Sequence, residues 1–184
     1  MMKDLIVVDD YFPDWQVERV SDFLKLMPVV YSNTSEFDYT KTRFFGTMLM
    51  EMDNWVAHPF PPYWFVDYFN MCIINDILKD RDIQHCHRML LNGQVPGLDG
   101  ANHQDDPEVG RFMSVIYHAS GDSGDTVCVT PEGEEIDRVT FKPGRIVIFP
   151  SEIWHRGDSP SQGYRVSLGC MYPLVTIDNL PQIY

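Results

Sequence analysis

His103-Gln104-Asp105 sets an imidazole and a carboxylate two positions apart. In extended chain both side chains project to the same side, where they can take adjacent corners of one metal ion. A second imidazole, His155, follows Asp105 by 50 positions and ends a run, residues 141–155, that reads as a strand entering a proline-containing turn. Two histidines and one carboxylate on one face form the arrangement that leaves open positions on a non-haem Fe(II) ion. Ten positions after His155 comes Arg165, which with Ser167 shares one face of an otherwise apolar strand. A guanidinium suits bidentate capture of a carboxylate, and a serine adds one more hydrogen bond. An anionic ligand would explain an arginine in such a strand, since burying one without a counter-charge is costly.

Such residues need a scaffold that brings distant segments together. Residues 5–13 read as a strand closed by Pro13, and Asp14 can then cap a helix running to about Met27. Val17, Val20, Phe23, Leu24 and Met27 fall on one face of that helix, the spacing of a helix packed on a sheet. Residues 42–50 carry a weaker strand signal, and residues 63–78 form a second helix candidate.

After about residue 82 the character changes. Short β-type runs at 83–91, 111–119, 126–130, 137–141, 145–149 and 164–172 are separated by Gly, Pro, Asn and Asp clusters. The expected architecture is mostly β, a jelly-roll (double-stranded β-helix) core buttressed by N-terminal helices. One domain is expected over 1–184, with the supporting strand and helices in 1–82 and the metal-bearing core in 83–184.

The pattern His103-x-Asp105, His155, Arg165-x-Ser167 resembles the 2-oxoglutarate/Fe(II) dioxygenase superfamily. More narrowly, it is similar to the prolyl-4-hydroxylase-like branch, whose members often open with a strand such as residues 5–13. The resemblance covers residues 88–173. It implies Fe(II) on His103, Asp105 and His155, 2-oxoglutarate anchored by Arg165 and Ser167, and O2 as oxidant in a substrate hydroxylation. Asn92 and Tyr117 are further candidates for lining the co-substrate pocket.

The departures narrow the branch. Leu90 stands where many prolyl hydroxylases place a tyrosine three residues before a glycine, here Gly93, and Arg165 stands where the collagen-type enzymes use lysine. Both separate the chain from a peptidyl-proline substrate. Ser167, Gly169 and Met171 differ from the Asn, Thr and Arg of the nucleic-acid demethylase branch, and Asp105 is the carboxylate that a related halogenase lacks.

Competing readings are visible. His85-Cys86-His87 would present two imidazoles on one strand face but has no third ligand at a suitable spacing, while His58 and His118 belong to no constellation. The approach from Gly144 through Pro150 to His155 resembles the second cupin motif, yet Glu152 replaces its glycine and Arg165 is left without a role. The alternatives are therefore a cupin-like metal-binding protein or a jelly-roll binding module without turnover.

The bulk properties are those of an ordinary globular protein. The chain has 184 residues, of which 44% are hydrophobic and 22% charged, enough to bury a sizeable core. A formal net charge of −13 repels polyanions, and no Lys/Arg run offsets it, so neither nucleic acid nor an acidic membrane is an expected partner. A small-molecule or peptide substrate fits better. Cys72, Cys86, Cys128 and Cys170 form no C-x-x-C pair, and no secretory leader or membrane-length apolar run is present, so reduced thiols and a cytoplasmic location are expected.

Overall fold

The computed structural model describes residues 2, 4–33, 44–51, 63–81, 83 and 85–174. In chain order the elements are β1 (Ile6–Val8), α1 (Asp14–Lys25), β2 (Val30–Asn33), β3 (Phe44–Glu51), α2 (Tyr63–Cys72), a π-helical stretch Ile73–Ile77, β4 (Arg88–Gln94), β5 (Phe112–Ser120), β6 (Thr126–Val129), β7 (Glu135–Val139), β8 (Ile146–Pro150), β9 (His155–Gly157) and β10 (Arg165–Pro173). Two antiparallel sheets result. The larger has the order β1-β8-β5-β10-β4-β3-β2 and the smaller β7-β6-β9. This is the expected jelly-roll core, with one addition: the N-terminal segment contributes three strands to the larger sheet as well as helices.

The sheets face one another across a compact apolar layer containing Cys128 and Val139 from the small sheet and Val147 and Phe149 from the large one. The opposite face of the large sheet is covered by the helices. There Val20 and Leu24 of α1 and Phe65, Val66 and Phe69 of α2 pack on Leu91, Val115, Ile148, Leu168 and Cys170. Strand alternation therefore decides everything about function: even one position of shift moves a side chain from the helix-covered core to the space between the sheets.

Several boundaries differ from the sequence expectation. Asp14 is the first helical residue and not the cap; the carbonyl of Pro13 accepts from the amides of Gln16 and Val17. The carboxylate of Asp14 then sits in the first turn, where the helix dipole favours it. The 63–78 helix changes to π geometry at Ile73, with the Leu78 amide donating to the Ile73 carbonyl. Strand β4 begins at Arg88, so His85 and His87 precede it and do not share a strand face. No helix among the described residues is long and apolar enough to cross a membrane.

Candidate metal and co-substrate site

The loop between β4 and β5 carries His103 and Asp105, and His155 opens β9. The loop is stitched to that strand by backbone bonds: His103 N–H donates to the His155 carbonyl (3.0 Å) and His155 N–H to the His103 carbonyl (2.9 Å). The amides of Asp105 and Asp106 both donate to the Ser151 carbonyl, and the Gln104 amide side chain donates to the Glu152 carbonyl at 2.6 Å. Held this way, His103, Asp105 and His155 bring one ligand-type atom each to within 4.8 Å of one another. Among the described residues this is the one group of three or more His, Cys, Asp and Glu side chains so gathered.

Each imidazole is fixed by its own backbone. His103 Nδ1 lies 2.9 Å from the Ala101 carbonyl and His155 Nδ1 2.9 Å from the Ile153 carbonyl. A carbonyl can only accept, so Nδ1 carries the proton in both rings and the Nε2 lone pairs are free. Those Nε2 atoms lie 3.9 and 3.7 Å from the Asp105 oxygens. The carboxylate is braced on both sides: Arg88 Nη2 donates to Oδ1 at 2.8 Å, and the Ser114 hydroxyl donates to Oδ2 at 2.6 Å and also meets Ser151 Oγ at 2.8 Å. Burial alone would raise the Asp105 carboxyl, but His155, Arg88, His103 and Ser114 together hold it below the usual carboxylate range. Burial and the neighbouring His103 push His155 down to about 4 despite Asp105 beside it. At neutral pH the cluster is thus a carboxylate with a neutral His155, the state a metal requires.

Arg165 opens β10 on the inner wall of the large sheet, the face turned toward β9. It is 4% exposed, its Nε donates to the Gly124 carbonyl at 2.7 Å, and its Nη1 donates to Gln94 Oε1 (2.5 Å) and Ser167 Oγ (3.1 Å). No described carboxylate comes within ion-pair distance of it, and burial lowers its pKa to about 10, an effect that Asp158 and Asp125 only offset from afar. Gly157 makes room for the guanidinium: a Cβ built there would lie 2.8 Å from Arg165 Nη1 and 3.1 Å from Gln94 Oε1. Gly157 is two residues past His155 on β9, about 7 Å along one strand face, so the guanidinium of Arg165 meets the same strand that carries the ligand histidine.

The register assigns the remaining candidates. Ser167 pairs with Asn92 on one side and His118 on the other, so all three face the inner wall. Asn92 Oδ1 is buried and has no partner. Tyr117 does not belong to this wall, contrary to expectation. It pairs with Leu168 and Ile146 on the helix-covered face and packs edge-on against Phe12 and Phe69, with its hydroxyl buried and unpartnered. Its neighbour His118 takes the inner position. The Lys142 amide donates to His118 Nδ1 at 3.4 Å, so the Nε2 proton goes to Thr126 Oγ1 at 3.0 Å and the threonine proton remains free. His118 stacks on Phe141 (4.6 Å between centroids), whose ring also lies 5.8 Å from the Arg165 guanidinium carbon.

Arg88, Gln94, Ser114, His118, Thr126 and Gly157 are the site residues not anticipated from sequence. The signal that finds them is strand parity relative to Arg165 and Ser167, which needs the register. His58 lies outside the described residues.

No protein-family model and no curated protein matches this sequence. Among solved structures, the fold is similar to that of a prolyl-4-hydroxylase from Pseudomonas putida (TM-score 0.63, 14% identity, covering 94% of this chain and 93% of that one). An oxidoreductase of the 2OG-Fe(II) oxygenase family from Burkholderia pseudomallei gives a TM-score of 0.66 at 17% identity, covering 92% and 85%. HygX from Streptomyces hygroscopicus, solved with nickel and 2-oxoglutarate bound, gives 0.64 at 10% identity, covering 98% and 91%. The chain shares the fold of these proteins over nearly its whole length.

Proposed function

We propose that this protein is an Fe(II)- and 2-oxoglutarate-dependent oxygenase that hydroxylates a small-molecule or peptide substrate. One observation carries the reading. Two Nε2 lone pairs and a braced carboxylate converge within 4.8 Å, and the guanidinium of Arg165, buried without a carboxylate partner among the described residues, reaches from β10 to Gly157, two residues past His155 on β9.

The donor set fits the group. Two imidazoles and one carboxylate suit non-haem Fe(II), and the second-sphere bonds from Ala101, Ile153, Arg88 and Ser114 fix each ligand's orientation in advance. Arg165 fits a carboxylate, because its guanidinium is buried with no acidic partner among the described residues. In this reading His103, Asp105 and His155 hold the iron, while Arg165 and Ser167 hold the distal carboxylate of 2-oxoglutarate. When bound, iron and co-substrate supply oxygen activation coupled to oxidative decarboxylation of 2-oxoglutarate.

The chain's own residues orient and insulate. Arg165 is already desolvated, so its bond to a carboxylate forms in a low-dielectric pocket where it is strong. His118 fixes the Thr126 hydroxyl as a donor aimed away from its own ring. Gln94, gripped by the Leu98 and Gly157 carbonyls (2.9 Å each), keeps its oxygen on Arg165 and so holds the guanidinium in one rotamer.

The test is release of labelled carbon dioxide from 1-labelled 2-oxoglutarate with Fe(II), which proceeds slowly even without primary substrate. Wild-type protein is expected to release it, and Asp105→Ala and His155→Ala to release none. Metal binding with no 2-oxoglutarate dependence would instead support the cupin-like alternative.

A further inference from the structure

We infer that Arg88 is the recognition point for a carboxylate on the primary substrate. The inference rests on the oxygenase reading above and adds the substrate's charge to it.

Arg88 opens β4 on the inner wall. It pairs with Met171 of β10, whereas Gln94 at the other end of β4 pairs with Arg165. Six strand positions, about 20 Å of backbone, separate the two ends of this wall. Arg88 touches the triad directly through Asp105. The two arginines therefore lie toward opposite ends of this wall; on the oxygenase reading Arg165 is at the co-substrate end and Arg88 at the end left for substrate.

Its bonding is incomplete. A guanidinium carries five N–H donors. Arg88 engages Asp105 Oδ1 through Nη2 at 2.8 Å, while its Nε is buried with no partner. Asp105 is its carboxylate partner among the described residues, and the side chain is 28% exposed, so the tip is not sealed. A half-used guanidinium in a partly desolvated wall is costly unless a ligand completes it.

Holding Asp105 in place does not require a charge. Ser114 already braces the other oxygen with a neutral hydroxyl. A cation on Oδ1 draws charge from the carboxylate that a metal needs, so an arginine here weakens the ligand it orients. The charge balance of the loaded site explains its presence. A divalent metal, Asp105, Arg165 and the two carboxylates of 2-oxoglutarate are neutral together, and Arg88 adds one positive charge to that set; Glu51 of β3 is its cross-strand neighbour, but Asp105 is the carboxylate within ion-pair distance of it among the described residues. A monoanionic group meeting the Nη donors that Asp105 leaves unused balances that charge.

The experiment uses the full chain loaded with Mn(II) and saturating 2-oxoglutarate, and reads paramagnetic broadening of the proton lines of propionate against isosteric propionamide. A second arm compares the capped peptides acetyl-Gly-Asp-Gly-amide and acetyl-Gly-Asn-Gly-amide, to separate a free acid from a peptide-borne one. Wild-type protein is expected to prefer the carboxylate by about tenfold or more in one arm. Arg88→Met should lose the preference and Arg88→Lys, which keeps the charge without the fork, should retain part of it. Ser114→Ala disturbs the same carboxylate from its other side and should keep the preference. Equal binding of acid and amide by wild-type protein overturns the inference, as does loss of preference in Ser114→Ala equal to that in Arg88→Met. If Arg88→Met does not take up Mn(II), Arg88→Lys decides: an undiminished preference there overturns the role of the fork. Failure of wild-type protein to take up Mn(II) and 2-oxoglutarate at all would fell the oxygenase reading first, and this one with it.

Discussion

His103 and His155 are joined twice, by a reciprocal pair of backbone hydrogen bonds at 3.0 and 2.9 Å and by rings whose centroids lie 4.3 Å apart. The backbone pair survives removal of either side chain, so ligand loss can be separated from collapse of the loop.

His103→Ala is accordingly expected to keep its folded far-ultraviolet signature while binding Mn(II) at least about 100-fold more weakly. Ser114→Ala, which removes only the brace on Asp105 Oδ2, should cost about 10- to 100-fold. Competition titration with a chelator measures both; a Ser114→Ala affinity equal to wild type would remove the brace from the account.

Gly157→Ala places a methyl group 2.8 Å from Arg165 Nη1 on a strand whose backbone any residue can adopt. The fold should persist and the guanidinium should be displaced, weakening 2-oxoglutarate about tenfold, while Arg165→Met should cost roughly 2 to 5 kcal/mol of co-substrate binding. Calorimetric titration of 2-oxoglutarate into the Mn(II)-loaded protein distinguishes these, and unchanged affinity in both variants would remove Arg165 from the site.

Tyr117→Phe deletes a buried hydroxyl that has no hydrogen-bond partner. Its loss is expected to be neutral or to stabilise by up to about 1 kcal/mol, read from the urea midpoint, with co-substrate affinity unchanged. A marked fall in that affinity would return Tyr117 to the pocket.

His118 governs part of the acid response. Burial, and then Arg165 and Arg145, hold its pKa well below the ordinary 6.5. As the pH falls through about 6.5 the unfolded chain gains a proton that the folded chain refuses, so stability declines on acidification and is full above that value. His118→Gln should flatten the slope of unfolding free energy between about pH 7 and pH 5 by up to ~1.4 kcal/mol per pH unit. An identical slope in both proteins would place the acid sensitivity elsewhere.

The four polar residues His103, Asp105, His155 and Arg165 are legible in the sequence because ligand-type side chains in that order stand out against apolar strands. The helix-packing face of α1 is legible for a related reason, since its 3.6-residue period is uninterrupted from Val17 to Met27. The confusion of Tyr117 with His118 has a physical source. Strand β5 is buried on both faces along nearly its whole length, so alternation carries no information about which face is which. Only the pairing of Ser167 with His118, after a bulge next to Val166, decides it. Strands β2 and β9, of four and three residues, are too short to leave a periodic trace. Arg88 reads in sequence as a charged flank of an apolar run, and its role emerges only from the loop that folds back over it.

Strand β10 is the nine-residue piece that joins the two halves of the large sheet, lying between β5 and β4. Without it the sheet would be two separate ribbons, β1-β8-β5 and β4-β3-β2, with bare facing rims. Such rims invite pairing with other nascent chains. The same strand that closes this gap carries Arg165 and Ser167, so the residues proposed to hold the co-substrate carboxylate sit on the piece that also protects both rims.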